Sequence, residues 1–168
     1  MAITVRPFEP RDTEQARQIV FEDADKPDQI HDIGRNGETA FPFFVASDDG
    51  GVLHGIVEGH FNSEYAERLG VPGHTWPQGW IYTLAVRGES RRMGVGTALV
   101  QHFVEVAKGK GCTFVAFNVD ESDDDASIAE RTAFFRALGF DVLVDDDRGS
   151  AMGGKVDDIL QGLQHERS

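Results

Sequence analysis

Arg91-Arg92-Met93-Gly94-Val95-Gly96 sets two cations beside two glycines. That combination suits one kind of chemistry, the holding of phosphate against the main chain. Arginine brings full charge and a fork of donors. Glycine lacks the Cβ that would keep a ligand off the backbone, and it admits a turn with positive φ. After Gly96 the apolar residues Leu99, Phe103 and Val106 keep helical spacing toward Gly109 and Gly111. The basic turn therefore delivers the chain into a helix N-terminus, where main-chain amides lack intrahelical partners and the helix dipole is positive. Ahead of it, residues 80 to 86 form an apolar strand pattern ending in Leu84-Ala85-Val86. A strand, a basic glycine turn and a helix in that order make a cradle for a pyrophosphate. It is not a Walker loop, which needs Gly-Lys-Ser/Thr, nor the dinucleotide fingerprint, whose third glycine falls where Leu99 stands.

The elements that must position this turn can be read outward from it. Ile3 to Arg6 alternate as a first strand, and Asp12 with Gln15 three residues on forms a capping-box-like start for a helix through Val20. Residues 22 to 38 are polar and broken by Pro27, Gly34 and Gly37, with a short helix expected around 28 to 33. Residues 41 to 46 and 52 to 61 read as strands joined by the hairpin turn Ser47-Asp48-Asp49-Gly50-Gly51. Residues 62 to 78 form a long connection. Beyond the helix of the cradle come a strand over 112 to 119, a helix ending at Leu138 and a hairpin from Val142 to Val156. Ile159, Leu160 and Leu163 make the tail from 157 to 168 helical, suited to packing on the body or on a second copy of the chain. One domain spanning 1–168 is expected.

Composition narrows the partners. The 29 acidic residues outnumber 16 basic ones, for a formal charge of -13. Such a surface repels nucleic acid and anionic membranes and favours a cationic substrate. A hydrophobic content of 40% with twelve phenylalanines suits a globular core. No run of about eighteen apolar residues occurs, and the start lacks a signal-peptide layout, so a cytoplasmic protein is expected. Cys112 is the single cysteine and has no intramolecular partner, in keeping with a reducing compartment. His54, His60 and His74 show no repeated ligand spacing, and no metal is expected.

The stretch Arg91 to Gly96 resembles the R-x-x-G-x-G signature of the GNAT acetyltransferases, and Phe134-Phe135-Arg136-Ala137-Leu138-Gly139-Phe140 is similar to the family's F-Y-x-x-x-G-F segment. The two motifs stand in the family's order, separated by the strand-like Thr113 to Phe117. The resemblance implies a mixed α/β fold (α+β), the GNAT acyl-CoA N-acyltransferase fold. Its central, mostly antiparallel sheet has about seven strands, with the fourth and fifth splayed, flanked by about four helices. It implies acetyl-coenzyme A as acyl donor, with Arg91, Arg92, Met93, Gly94, Val95, Gly96 and Thr97 around the pyrophosphate. The backbones of Leu84, Ala85 and Val86 would bond the pantetheine arm, Asn118 would touch it, and Phe135 would pack against the cofactor.

On that model the reaction is acetyl transfer to a primary amine, of a small molecule or a lysine-containing substrate, by direct attack in a ternary complex. The amine must lose a proton and the departing sulfur must gain one. Glu58 and His60, on one face of a strand, are the first candidates for the base. Tyr82 is the third, and a phenol suits the task at neutral pH less well than a carboxylate or an imidazole. The sequence departs from the family in two places. Phe135 stands where a tyrosine is usual, so the sulfur's proton must come from Tyr82, Ser127, water or no residue. Ile128 replaces the usual asparagine, behind the acidic insertion Asp120 to Asp125 that would draw a polycation. The competing expectation is a coenzyme A-binding regulatory or structural domain without catalysis.

Overall fold

The computed structural model of the chain describes residues 2–23, 33–34, 37–63, 77–118, 125–146 and 149–166. Seven strands are found among them: β1 (Thr4–Pro7), β2 (Phe43–Ser47), β3 (Leu53–Ser63), β4 (Gln78–Val86), β5 (Phe114–Asn118), β6 (Asp141–Asp146) and β7 (Gly149–Lys155). They form one sheet in the order β1-β2-β3-β4-β5-β7-β6. The β1–β2, β2–β3, β5–β7 and β6–β7 pairs are antiparallel and β4–β5 is parallel. Among the described residues the α-helices are α1 (Thr13–Gln18), α2 (Val95–Gly109), α3 (Asp125–Ala137) and α4 (Val156–Glu166). This is the mixed α/β architecture that the two motifs implied. The parallel ladder pairs Gly79↔Val115 and Trp80↔Ala116.

Contacts group the chain into two compact units, 1–59 with 82–103 and 60–81 with 104–168. In the first, β2 is buried at every position, and Val45, Leu53, Ile56 and Ala85 join Ala16, Ile19 and Val20 in a dry cluster. Helix α2 lays Val95, Leu99, Val100 and Phe103 inward, each at most 2% exposed. Phe44 meets its His102 and Phe103 edge-on at 4.9 and 6.4 Å. In the second unit, Trp80, Phe114 and Ala116 pack with Leu143, while Phe117, Phe135 and Phe140 form an aromatic group. Helix α4 sends Ile159 against Gly139 and Gly154, so the tail packs on its own unit.

Three local expectations change. Asp12 does not cap α1 with its side chain. Its carboxylate instead takes both Arg6 guanidinium nitrogens, at 2.7 and 2.9 Å, and the Glu9 amide at 2.8 Å. A bidentate charged partner outcompetes a single helix amide. Second, the strand expected from 112 begins at Phe114. The Cys112 amide is already bonded to Ala107 O at 2.9 Å, closing the end of α2 around Gly111, and so cannot join a ladder. Third, β3 runs to Ser63 and β4 starts at Gln78, longer than their apolar patterns indicated. The helix expected at 28–33, most of the 62–78 connection and the acidic insertion before Asp125 lie outside the described residues.

Candidate active site

The basic turn is built in the first unit. Strand β4 ends at Val86, and a 3-10 turn over Gly88–Ser90 leads into Arg91. Arg92 adopts φ 65 and Gly94 φ 78. Gly94 meets no Cβ penalty there. For arginine, the left-handed region costs about 1 kcal/mol and persists only where the surroundings dictate it. Two left-handed residues within three positions fold the segment back so that α2 can begin at Val95, where Ala98 N bonds Gly94 O at 3.0 Å. Arg91, Arg92, Met93 and Gly94 are exposed, Val95 is buried, and Gly96 and Thr97 are half-buried. A Cβ placed on Gly94 would meet nothing within 4 Å, so the space beside this main chain is open to a ligand.

What fixes the start of α2 lies on the neighbouring strand. A Cβ on Gly55 would sit 2.9 Å from Ala85 O and Leu99 Cδ1 and 3.0 Å from Val95 Cγ1. Only a glycine lets the first turns of α2 approach β3 that closely. Arg87 adds a tether, its amide donating to His54 O at 2.9 Å and its Nε to Leu53 O at 2.6 Å. Gly55 and Arg87 went unread in the sequence. A glycine inside a strand pattern is the signal of close backbone approach that marks the first, one that Gly59 of the same strand also carries, whereas the second carries none.

Along β4 burial alternates: Ile81, Thr83 and Ala85 are buried, while Tyr82 is exposed and Leu84 and Val86 are half-buried. Tyr82 thus shares a face with Leu84 and Val86, as strand geometry predicts, and its ring lies on Phe41 at 4.6 Å. Glu58 is fully buried, and Thr83 Oγ1 donates to its Oε1 at 3.1 Å. Because the Glu58 and Thr83 side chains meet, both occupy one face, and Tyr82 looks the other way. The structure therefore separates Tyr82 from Glu58.

Within the second unit, His60 is half-buried, with Nδ1 3.0 Å from Asn62 Oδ1. An amide oxygen can only accept, so Nδ1 carries the hydrogen and, in the neutral ring, Nε2 is the basic atom. Asn118 is exposed at the end of β5, in register with Ala151. Phe135 is 3% exposed and wedged among Phe117, Phe134 and Phe140 at 4.1 to 5.3 Å. The end of α3 explains that burial. Phe140 N bonds Phe135 O and Gly139 N bonds Arg136 O, both at 3.1 Å, with Gly139 at φ 100. This left-handed cap folds Phe140 back onto Phe135. Cys112 is buried, its thiol donating to Phe61 O at 3.2 Å, and burial pushes that thiol above its ordinary pKa against the pull of Lys110. A thiol so placed is poorly nucleophilic.

A strand, an exposed basic turn and a docked helix on a mixed seven-stranded sheet define a class. The family model "Acetyltransferase (GNAT) family" matches residues 6–140, which takes in residues of both units. The chain belongs to that family, and with it to the N-acetyltransferases. No curated protein matches the sequence significantly. Among solved structures, the fold is similar to Ard1 from Thermoplasma volcanium, at 22% identity over 92% of this chain and 98% of that one, TM-score 0.61. It is similar to the PaiA N-acetyltransferase from Thermoplasma acidophilum in complex with coenzyme A, at 17% identity over 92% and 99%, TM-score 0.65. It is also similar to the GNAT family N-acetyltransferase YhbS from Escherichia coli in complex with CoA, at 19% identity over 95% and 85%, TM-score 0.65.

Proposed function

We propose that this chain, acting as a single domain over 1–168, transfers an acetyl group from acetyl-coenzyme A to a primary amine of a small cationic molecule, by direct attack in a ternary complex. The observation that carries the reading is the exposed turn Arg91–Gly94, left-handed at Arg92 and Gly94 and running straight into α2. Arg91 and Arg92 supply charge for a diphosphate. The main chain from Met93 to Thr97 supplies amides, and the bare Gly94 leaves room for close approach. That coenzyme A is present in two similar structures supports the choice of donor. Leu84, Ala85 and Val86 are assigned to the pantetheine arm through their backbones, Asn118 through its amide, and Phe135 through its ring cluster.

Acetyl-coenzyme A supplies an activated thioester, and the protein's task is to place an unprotonated amine against it. Holding both reactants in register contributes roughly 7 kcal/mol or more, which removes the need for a covalent enzyme intermediate. His60 Nε2, or the Glu58 carboxylate through a water, takes the proton from the ammonium. The amine nitrogen then bonds the acyl carbon as the carbon–sulfur bond breaks, the sulfur takes a proton from water or from Tyr82, and the acylated nitrogen gives up its remaining extra proton to restore that donor. The net charge of -13 favours a cationic acceptor over a neutral one.

The test has two arms. Calorimetry should show that coenzyme A binds the wild type, and that Arg91→Ala combined with Gly94→Ala weakens binding by about 10- to 100-fold, since a charged donor pair and a left-handed glycine are lost together. Unchanged affinity would remove the assignment of the turn. In the second arm, acetyl-coenzyme A and a pooled amine library should release free thiol above the rate without acceptor. Phe135 favours one alternative, because a buried phenylalanine has no proton to give a leaving sulfur. Binding without acceptor-dependent thiol release would support a coenzyme A-binding regulatory or structural domain.

A further inference from the structure

A relay of three side chains that the reaction does not use stands behind the basic turn. Asp48 Oδ1 accepts the amides of Gly50 at 2.9 Å and Val52 at 3.0 Å, which pins the β2–β3 hairpin. Its Oδ2 lies 2.9 Å from His54 Nε2, and His54 Nδ1 lies 2.8 Å from Ser90 Oγ. The hydrogen bond from His54, joined by the two amides, holds the Asp48 carboxyl below its ordinary pKa, so it is ionised and only accepts. Nε2 therefore carries the hydrogen, and in the neutral ring Nδ1 accepts from the Ser90 hydroxyl. The order is that of a serine-hydrolase relay, but Ser90 is 2% exposed and His54 8%, so the hydroxyl meets no substrate. What it does meet is the chain: Ser90 closes the 3-10 turn, with its amide on Arg87 O at 2.9 Å, and Arg91 follows directly.

We propose that His54 is a positioning residue for the phosphate-binding turn, fixing Ser90 so that Arg91 to Gly94 keep the strained shape that receives a diphosphate, with Asp48 setting its tautomer. The inference rests on the reading of that turn given under Proposed function. Arg92 at φ 65 needs surroundings that dictate it, and the buried, fully directed relay one residue upstream of Arg91 provides a rigid anchor. Asp48 Oδ2 holds His54, six residues on, and His54 in turn reaches Ser90, 36 residues further along the chain.

The test compares two ligands that share the pantetheine arm, of which only coenzyme A carries the diphosphate and its nucleotide. Coenzyme A is followed by calorimetry, and S-acetylpantetheine by chemical-shift titration. Ser90→Ala should weaken coenzyme A about tenfold while leaving S-acetylpantetheine within twofold of wild type, because only the diphosphate contacts depend on the turn. Ser90→Thr, which keeps the hydroxyl, should stay within twofold for both. His54→Ala should repeat the Ser90→Ala pattern. If His54→Ala fails to fold, Ser90→Ala, a loss of one buried oxygen, still decides. Equal weakening of both ligands, or coenzyme A binding unchanged in Ser90→Ala, would overturn the inference while leaving the turn's assignment intact. Failure of the wild type to bind coenzyme A would overturn the assignment of the turn and this inference together.

Discussion

Asp12 shows how a residue's partner decides its role. Burial alone would raise its pKa, but the Arg6 hydrogen bonds and the Glu9 amide outweigh that effect and hold the carboxyl below its ordinary value, while Arg6 is raised in turn. A carboxyl depressed in the folded state stabilises the fold above its unfolded pKa, and that contribution is lost as pH falls through the folded value. Unfolding free energies of wild type and Asp12→Asn from urea titration should therefore differ at neutral pH, by about 1–2 kcal/mol for the loss of a charged, mostly buried hydrogen-bond partner. The difference should shrink steadily below about pH 4, where the unfolded carboxyl begins to protonate. A gap that stays constant with pH would show that the pair contributes through packing alone. The same dependence on partner governs Glu58, whose burial against Thr83 makes it a poorer first contact for an ammonium than half-buried His60.

At the scale of elements, the decisive feature is the seat of α2. Val95 and Leu99 descend onto Gly55, and the first turn of the helix can only stand this close to the strand because β3 presents no side chain there. Gly55→Ala would press a methyl to 2.9 Å from a backbone oxygen that cannot swing away, and overpacking of this kind costs about 1–3 kcal/mol. Thermal unfolding should register that loss, and coenzyme A affinity should fall with it as the helix start lifts. Full affinity in a destabilised Gly55→Ala would mean that the seat serves stability only. The end of α3 works by the same logic in the second unit, where the left-handed Gly139 returns Phe140 to Phe135 and leaves α4 room to pack Ile159 beside it.

For the whole molecule, charge is the property that reaches furthest. An excess of 13 negative charges creates an attractive field for cations, the proposed acceptor among them, and such fields are screened by salt over about 10 Å at 0.1 M. With spermidine as the probe acceptor, KM should rise several-fold as sodium chloride is raised, whereas a neutral amine such as aniline should show little change. A KM for spermidine that ignores salt would dissociate the acidic surface from substrate choice and leave it as a device for solubility. No helix among the described residues is long and apolar enough to cross a membrane.

Much of this protein could be read from local sequence, because the features concerned are themselves local. The run Arg91 to Gly96 marked the turn between a strand and a helix that the structure shows, and Phe134 to Phe140 marked a helix end that the structure realises as a left-handed cap. Strand alternation placed Tyr82 beside Leu84 and Val86. The tertiary structure alone decided which face Glu58 shares with Thr83, and that Asp12 answers Arg6 rather than the helix it precedes. It also seated α2 on Gly55 and joined Asp48, His54 and Ser90 into one relay. Each of these depends on a partner at least six residues distant in the chain, and in most cases more than twenty. Periodicity and turn chemistry report what a residue's immediate neighbours permit. Which distant group arrives beside it is settled only when the sheet closes its register and the helix settles onto it.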